Sequence, residues 1–336
     1  MPAWPDFGSW FGPRLDWIQV EVTTRCNAAC VYCPRTVYRD AWQDRDLSLA
    51  AYRHWLPALN QARLVHLQGW GEPLLHPEFF TFAALAREAG CRVSTTTNGM
   101  LLDEPGLRRL MDAGLEIVAF SLTGLFAGHD RARPGTSFSR VVECIQALNR
   151  LKLAAGRATP RIHVAYMLLR SGLADLERLP QVLGGLGIDQ VVLSTLDLVP
   201  SRDLLGESFA DLPMAAYEDV QVRLAAMEAA ALGQGLPISY RLPSPGTRAA
   251  LCPENPRQAL CVAADGAVSP CVFTNLPVRG VSLPGRHGAH PYRPLVFGNL
   301  GDQRLQAIWR HPAYADFRQS FGTGRLAGSC RPCWKR

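Results

Sequence analysis

Residues 17–33 read Trp17-Ile-Gln-Val-Glu-Val-Thr-Thr-Arg-Cys26-Asn-Ala-Ala-Cys30-Val-Tyr-Cys33, an apolar run of strand length that breaks into a polar turn and three cysteines. β-Branched runs of the same kind recur at 64–68, 92–96, 116–122, 161–168 and 190–196. Between them lie segments of helical periodicity near 50–62, 77–90, 103–114, 137–154 and 174–186. Six strand-then-helix units in a row predict a parallel sheet, because parallel neighbours need a crossover connection, usually a helix. The stretches after the six strands, at 23–26, 69–73, 96–99, 121–124, 170–171 and 195–197, are rich in Gly, Asn, Asp, Ser and Thr. Such residues can simply end strands. Six of them on one carboxyl edge, one leading into three cysteines, fit the edge where parallel α/β architectures carry ligands.

The rest of the composition narrows the classes. A chain of 336 residues, 48% hydrophobic and 19% charged, has the length of about two domains and ample material for a core. No run approaches the roughly 20 apolar residues of a membrane span, so no membrane partner is expected. The start, Met1-Pro-Ala-Trp-Pro-Asp6, lacks the basic and apolar regions of a secretory signal, so a cytoplasmic location with reduced thiols is expected. Ten cysteines in that setting point to metal or redox chemistry rather than disulfides. The net charge is a modest +6, and every basic residue but Lys152 and Lys335 is Arg, without a run of five or six. Nucleic acid is therefore not an expected partner.

After about residue 197 the βα rhythm stops. A Pro- and Gly-rich stretch leads to an Ala-rich amphipathic helix at 213–232, then to an irregular region crowded with Gly, Pro and Cys. The expected division is an extension over 1–16, a βα region over 17–197, a linker and helix over 198–249, and a cysteine-rich domain over 250–336.

Cys26, Cys30 and Cys33 are spaced C-x3-C-x2-C. Three thiolates on one loop can hold three irons of a [4Fe–4S] cube and leave the fourth without a protein ligand. Zinc would call for a fourth Cys or His, and a redox pair would not need the third thiol. The stretch from Val20 to Pro34, with aromatic Tyr32 before the last cysteine, resembles the signature loop of the radical S-adenosylmethionine enzymes. That resemblance implies a partial (β/α)6 TIM-like barrel, followed here by a small irregular α+β iron–sulfur domain. It also implies that the open iron binds S-adenosylmethionine, which is reductively cleaved to a 5′-deoxyadenosyl radical that abstracts a substrate hydrogen.

Residue by residue, Gly71-Glu72-Pro73 resembles the family's Gly-Gly-Glu-Pro loop, which receives the methionine ammonium. Trp70 stands where that loop has its first glycine. Thr97, Asn98 and Ser121 occupy positions where related enzymes bind the ribose and carboxylate end of the nucleotide. Arg133 lies where an arginine pairs with the methionine carboxylate, and Tyr166, Met167 and Thr195 are candidates for the adenine wall. Each also has a plain reading as a turn former, packed side chain or surface arginine. Cys91 and Cys144 read as small core residues.

Five further cysteines follow, Cys252, Cys261, Cys271, Cys330 and Cys333, around an Asp265-Gly266 turn and a C-x2-C pair near the chain end. Four thiolates can fully ligate a cluster, and a four-thiolate zinc site is the competitor. The segments 261–271, 297–301 and 308–311 resemble the SPASM or "twitch" extension of radical S-adenosylmethionine enzymes. Five cysteines suffice for one auxiliary [4Fe–4S] cluster, assigned to Cys252, Cys271, Cys330 and Cys333. Cys261 is left as an alternative ligand, a hydrogen-atom donor or a packed thiol.

The resulting expectation is a radical S-adenosylmethionine oxidoreductase or maturase acting on a peptide, cofactor precursor or small metabolite. A flavodoxin or ferredoxin would be its reductant. A first strand near residue 17 leaves no room upstream for a leader-recognition domain, so a peptide substrate would need a separate leader-binding protein. The alternatives are an RNA-modifying member of the family and a non-catalytic electron-transfer protein. His163, His287, His290 and His311 are lone histidines without an identified partner.

Overall fold

A computed structural model describes residues 15–242, 252–285, 288–323, 330 and 333. Ten strands form one sheet: β1 (Leu15–Val20), β2 (Ala62–Leu67), β3 (Arg92–Thr97), β4 (Ile117–Leu122), β5 (Arg161–Leu168), β6 (Gln190–Thr195), β7 (Ile238–Tyr240), β8 (Ala259–Val262), β9 (Ala267–Ser269) and β12 (Gly298–Asn299). The order is β12-β9-β8-β1-β2-β3-β4-β5-β6-β7, parallel from β8 through β7 and antiparallel at β8–β9 and β9–β12. A separate hairpin joins β10 (Ser282–Gly285) to β11 (Gly288–Pro291).

The crossovers carry the helices α1 (Pro34–Val37), α2 (Leu49–Leu59), α3 (Phe79–Glu88), α4 (Glu104–Asp112), α5 (Ala127–Ala132), α6 (Phe138–Ala154), α7 (Leu179–Leu183) and α8 (Met214–Leu232). The Ser48 hydroxyl caps α2 by accepting from the Ala51 N–H at 3.1 Å, and the Asp103 carboxylate caps α4 by accepting from the Gly106 N–H at 2.8 Å. In α6 the residues Val141, Cys144, Ile145 and Leu148 fall on one face and are buried, which places Cys144 in the core. Cys91 is likewise buried, its thiol donating to the Leu59 carbonyl. After the sheet come α9 (Leu305–Arg310) and α10 (Pro312–Thr323), where Phe297 stacks on Tyr314 at 4.2 Å between ring centroids.

Strand alternation sorts the side chains. Ile18, Val65, Val93, Val118, Val164 and Val191 are buried beneath the helices. The other parity forms the opposite face, with Gln19, His66, Ser94 and Ile117 in one register row and Thr96, Ala119, His163 and Gln190 in the next. That face grows more open toward β6, where Val192 is 40% exposed.

Two features depart from the sequence expectation. β7 lies in the stretch read as a linker yet pairs in parallel with β6. The cysteine-rich region is not set apart either: β8 pairs in parallel with β1, Cys261 opposite Gln19. An uncovered β1 edge would leave a row of unpaired N–H and C=O groups, and β8 satisfies them. The Asp265-Gly266 turn between β8 and β9 needs its glycine, at φ +86°. Among the described residues no helix is long and apolar enough to cross a membrane.

Candidate active site

Because β1 to β6 are parallel, their following loops leave one edge of the sheet, and the three-cysteine loop is the first. It is pinned from both sides. The Thr23 hydroxyl donates to Asp46 at 2.6 Å, and Arg25 pairs with the same carboxylate at 2.7 Å. Across the loop, the Ala29 N–H donates to the Pro134 carbonyl at 2.7 Å and the Val31 N–H to the Ala132 carbonyl at 3.0 Å. Gly135, at φ +88°, lies so close that a Cβ would stand 2.8 Å from the Asn27 carbonyl oxygen.

The thiols sit close enough to raise one another. Burial, then Cys30 and Cys26, pushes the Cys33 thiol up to about 12, and burial raises Cys26. Thiols held this way lose their protons when a metal takes them as ligands. Among the described residues no three His, Cys, Asp or Glu side chains converge tightly enough for a single metal ion.

Glu72 faces this loop from the turn after β2. Its backbone N–H donates to the Arg25 carbonyl at 2.8 Å. Gly71 permits that approach, since a Cβ there would run into the Thr23 and Arg25 carbonyl oxygens. The carboxylate is 3% exposed and accepts from the Thr97 hydroxyl at 2.7 Å, the Asn98 N–H at 2.7 Å and the Leu74 N–H at 3.2 Å. Burial still raises its pKa, so a cation beside it would be welcome. Asn98 also donates from its side chain to Asn27 at 2.8 Å, tying the β3 turn to the cysteine loop.

Arg133 closes the third side through a directed chain. Its Nη1 donates to the Tyr32 hydroxyl at 2.6 Å, Tyr32 to Thr123 at 2.7 Å, and Thr123 to the Leu122 carbonyl at 2.9 Å. His129, fully buried and with its pKa lowered by burial to about 4, accepts the Thr123 N–H on Nδ1. Its Nε2–H then faces Thr136 at 3.0 Å, and the Thr136 hydroxyl donates to the Arg133 carbonyl at 2.8 Å. Tyr32 and Cys30 together outweigh burial and keep the guanidinium firmly cationic. Its Nε is buried with no partner, a donor aimed at nothing in the protein.

The structure thus brings Cys26, Cys30, Cys33, Tyr32, Gly71, Glu72, Thr97, Asn98 and Arg133 together. Ser121 joins them on the open face, half-buried and in register with Ala165. Tyr166 and Thr195 are corrections. Tyr166 is 1% exposed, in register with Leu122 and Leu193, on the face under the helices. Thr195 is 4% exposed beside Leu168 on that same face and donates to Asp197. Neither reaches the open face, where Met167, the third candidate for that wall, stands in register with Ser194. Sequence reading missed Asn27, Thr123, His129 and Glu21. Asn27 and Glu21 lay in the signature stretch itself.

Cys271 follows β9, which runs antiparallel to β8 and so away from that edge; its thiol is raised well above the usual range by burial, then by Glu254, Cys333 and Cys252, which places these groups around it. The Cys333 N–H donates to the Cys330 carbonyl at 3.4 Å, and Cys252 and Cys330 pack against the core. Cys261 lies on β8, 4% exposed, between Gln19 and Ser269, and shares Glu254 with Cys271 as a charged neighbour. His290 and His311 are exposed, His163 is half-buried on β5, and His287 lies outside the described residues.

A family model of the radical SAM superfamily matches residues 20–170, and one of SPASM, an iron–sulfur cluster-binding domain, matches 252–334. The chain is a radical SAM enzyme with a SPASM extension. Its cofactors are accordingly S-adenosylmethionine with a [4Fe–4S] cluster and an auxiliary iron–sulfur cluster. Among its relatives, the tungsten-containing aldehyde ferredoxin oxidoreductase cofactor-modifying protein of Pyrococcus furiosus is 24% identical, over 95% of this chain and 87% of that protein. The PqqA peptide cyclase of Gluconobacter oxydans is 26% identical over 94% and 82%. Two solved structures share the fold: anSMEcpe with bound AdoMet, at 17% identity and TM-score 0.68 over 95% of this chain and 84% of that one, and Streptococcus suis SuiB, at 13% and 0.66 over 91% and 68%.

Proposed function

We propose that Cys26, Cys30 and Cys33 hold the cluster that binds S-adenosylmethionine, and that Cys252, Cys271, Cys330 and Cys333 hold the auxiliary one. On this reading Glu72 receives the methionine ammonium, and Arg133 turns its unpartnered Nε to the methionine carboxylate. Asn98 and Ser121 face the nucleotide, while Tyr32 and Thr97 act by orienting Arg133 and Glu72. The observation that carries the assignment is this pairing of a buried carboxylate with a half-buried guanidinium whose buried Nε has no partner, across one three-thiol loop. Bound there, the cluster supplies the electron that cleaves the sulfonium and opens hydrogen abstraction from a substrate.

The substrate class we assign is a peptide or a cofactor precursor, which the enzyme matures by oxidation. Support comes from the relatives, whose names specify a peptide and a metal cofactor. It also comes from the open face beside the site, which offers uncharged hydrogen-bonding groups. Gln19 donates to the Gln68 side chain at 2.9 Å, and His66, held at a pKa of about 4 by burial, lies 2.8 Å from the Ser94 hydroxyl. A cytoplasmic flavodoxin or ferredoxin would supply the electron.

Anaerobic reconstitution with dithionite and S-adenosylmethionine tests the assignment. We expect about eight irons per chain, two cubes of four, and release of 5′-deoxyadenosine. The combined Cys26→Ala, Cys30→Ala, Cys33→Ala variant should keep about half the iron and lose cleavage. Retained cleavage would refute the assignment of this loop.

A further inference from the structure

Trp70 stands where the family's loop has glycine, and a bulky ring beside a nucleotide site needs a reason. Its two donors point to different parts of the chain. The backbone N–H donates at 2.9 Å to Glu21, the carboxylate at the end of β1, and the indole N–H donates at 3.2 Å to the carbonyl of Val272. Val272 directly follows Cys271, whose backbone opens the 3-10 turn Val272–Thr274. The ring meets Phe273 edge-on at 5.9 Å and Trp42 edge-on at 6.4 Å between centroids. On the other side, Trp70 is joined through Gly71 to Glu72, which three hydrogen bonds fix to residues 74, 97 and 98. Glu21 adds a second tie, since its own N–H donates to the Val262 carbonyl of β8 at 2.9 Å and the Ala264 N–H lies near its carboxyl.

We propose that Trp70 is a positioning residue that clamps the Cys271 loop of the auxiliary cluster onto the loop receiving S-adenosylmethionine, so that filling one site steadies the other. The proposal rests on the cluster and nucleotide assignments above. A link of this kind acts in both directions, because coupling between two binding sites is reciprocal. Nucleotide bound at Glu72 restrains residues 70–72, and the indole passes that restraint to the backbone beside Cys271. A tryptophan that merely filled space would steady the fold without making the auxiliary cluster sensitive to nucleotide.

The seam does not depend on this one side chain. Trp42 bridges Val278, the Gln43 N–H donates to the Pro277 carbonyl at 2.9 Å, and the Glu21 N–H donates to the Val262 carbonyl at 2.9 Å. Variants at Trp70 therefore retain the sheet and its contacts. Trp70→Phe keeps a ring and removes the indole donor, and Trp70→Gly restores the family's residue and removes both.

The test follows iron release from the anaerobically reconstituted full chain to a ferrous chelator, with and without S-adenosylmethionine, while electron paramagnetic resonance identifies the cluster being lost. In the wild type, nucleotide should slow loss of the auxiliary cluster at least fivefold. In Trp70→Gly that protection should vanish, and in Trp70→Phe it should fall below half, with the nucleotide-sensitive signal of the first cluster retained in both. Equal protection of the auxiliary cluster in all three proteins, or none in a wild type whose first cluster responds to nucleotide, overturns this inference alone. A wild type with no nucleotide-sensitive cluster overturns the functional reading and this inference with it.

Discussion

Three donors from two separate turns converge on the Glu72 carboxylate, and none of them carries a charge. They stabilise the anion locally, but burial outweighs them and the pKa stays raised, so the site is short of one cation. On the proposed reading, a methionine ammonium would supply it. Glu72→Gln should weaken S-adenosylmethionine binding roughly 10- to 100-fold, because the amide removes the charge and turns a donor toward donors. Iron content should be unchanged, and equilibrium dialysis against the nucleotide reads the result. Tyr32→Phe is a subtler probe. It removes the acceptor for Arg133 Nη1 and leaves the guanidinium free to swing, so nucleotide affinity should fall roughly 3- to 10-fold, a single hydrogen bond's worth.

Glu21 is 3% exposed, and burial lifts its carboxyl to about 7 against the pull of the Trp70 and Ala264 N–H groups. The folded state therefore holds this proton more tightly than the unfolded chain does. Its contribution favours folding below the ordinary carboxylate range and is lost as pH rises from about 4.5 through 7. Glu21→Gln carries no such proton. The melting temperature of the variant, relative to wild type, should rise between pH 5 and pH 8; a constant difference would show that Glu21 titrates normally.

At the scale of elements, the turn after β2 shows how closely the loops must pass. Gly71→Ala would push a methyl into the Thr23 and Arg25 carbonyls and prise Glu72 away from the cysteine loop. Nucleotide binding should drop at least tenfold while the auxiliary cluster's spectrum persists; wild-type affinity in Gly71→Ala would mean the two loops part more easily than their geometry implies. Much of this edge was legible in the sequence, since β-branched runs ending in Gly, Asn and Thr name both the strands and their ligand-bearing ends. Parity was also there to be read. In 161–168, Tyr166 shares its alternation with Ile162, Val164 and Leu168, and in 190–196 Thr195 shares it with Val191 and Leu193. Those apolar companions send both residues beneath the helices, whereas the family resemblance had placed them at the adenine wall. Alternation is the stronger constraint, because shifting a strand by one residue would turn all of its buried side chains outward.

In the molecule as a whole, the joining of β8 to β1 had no local signal. Residues 17–20 pair with 259–262 across most of the chain, and nothing in either segment names the other. Yet this pairing sets the first cysteine loop and the cysteine-rich region on one continuous sheet. Leu260 is 2% exposed at the centre of the joint. Leu260→Ala should cost about 2–5 kcal/mol, the usual price of a core truncation. Because β1 and β8 exchange backbone hydrogen bonds, that loss should appear on both strands at once. Hydrogen exchange should therefore quicken together in peptides covering 15–22 and 259–263, while those covering β4 to β6 keep their protection. Faster exchange in 259–263 alone would mean that the cysteine-rich region opens by itself, and that β1 is held from its β2 side only.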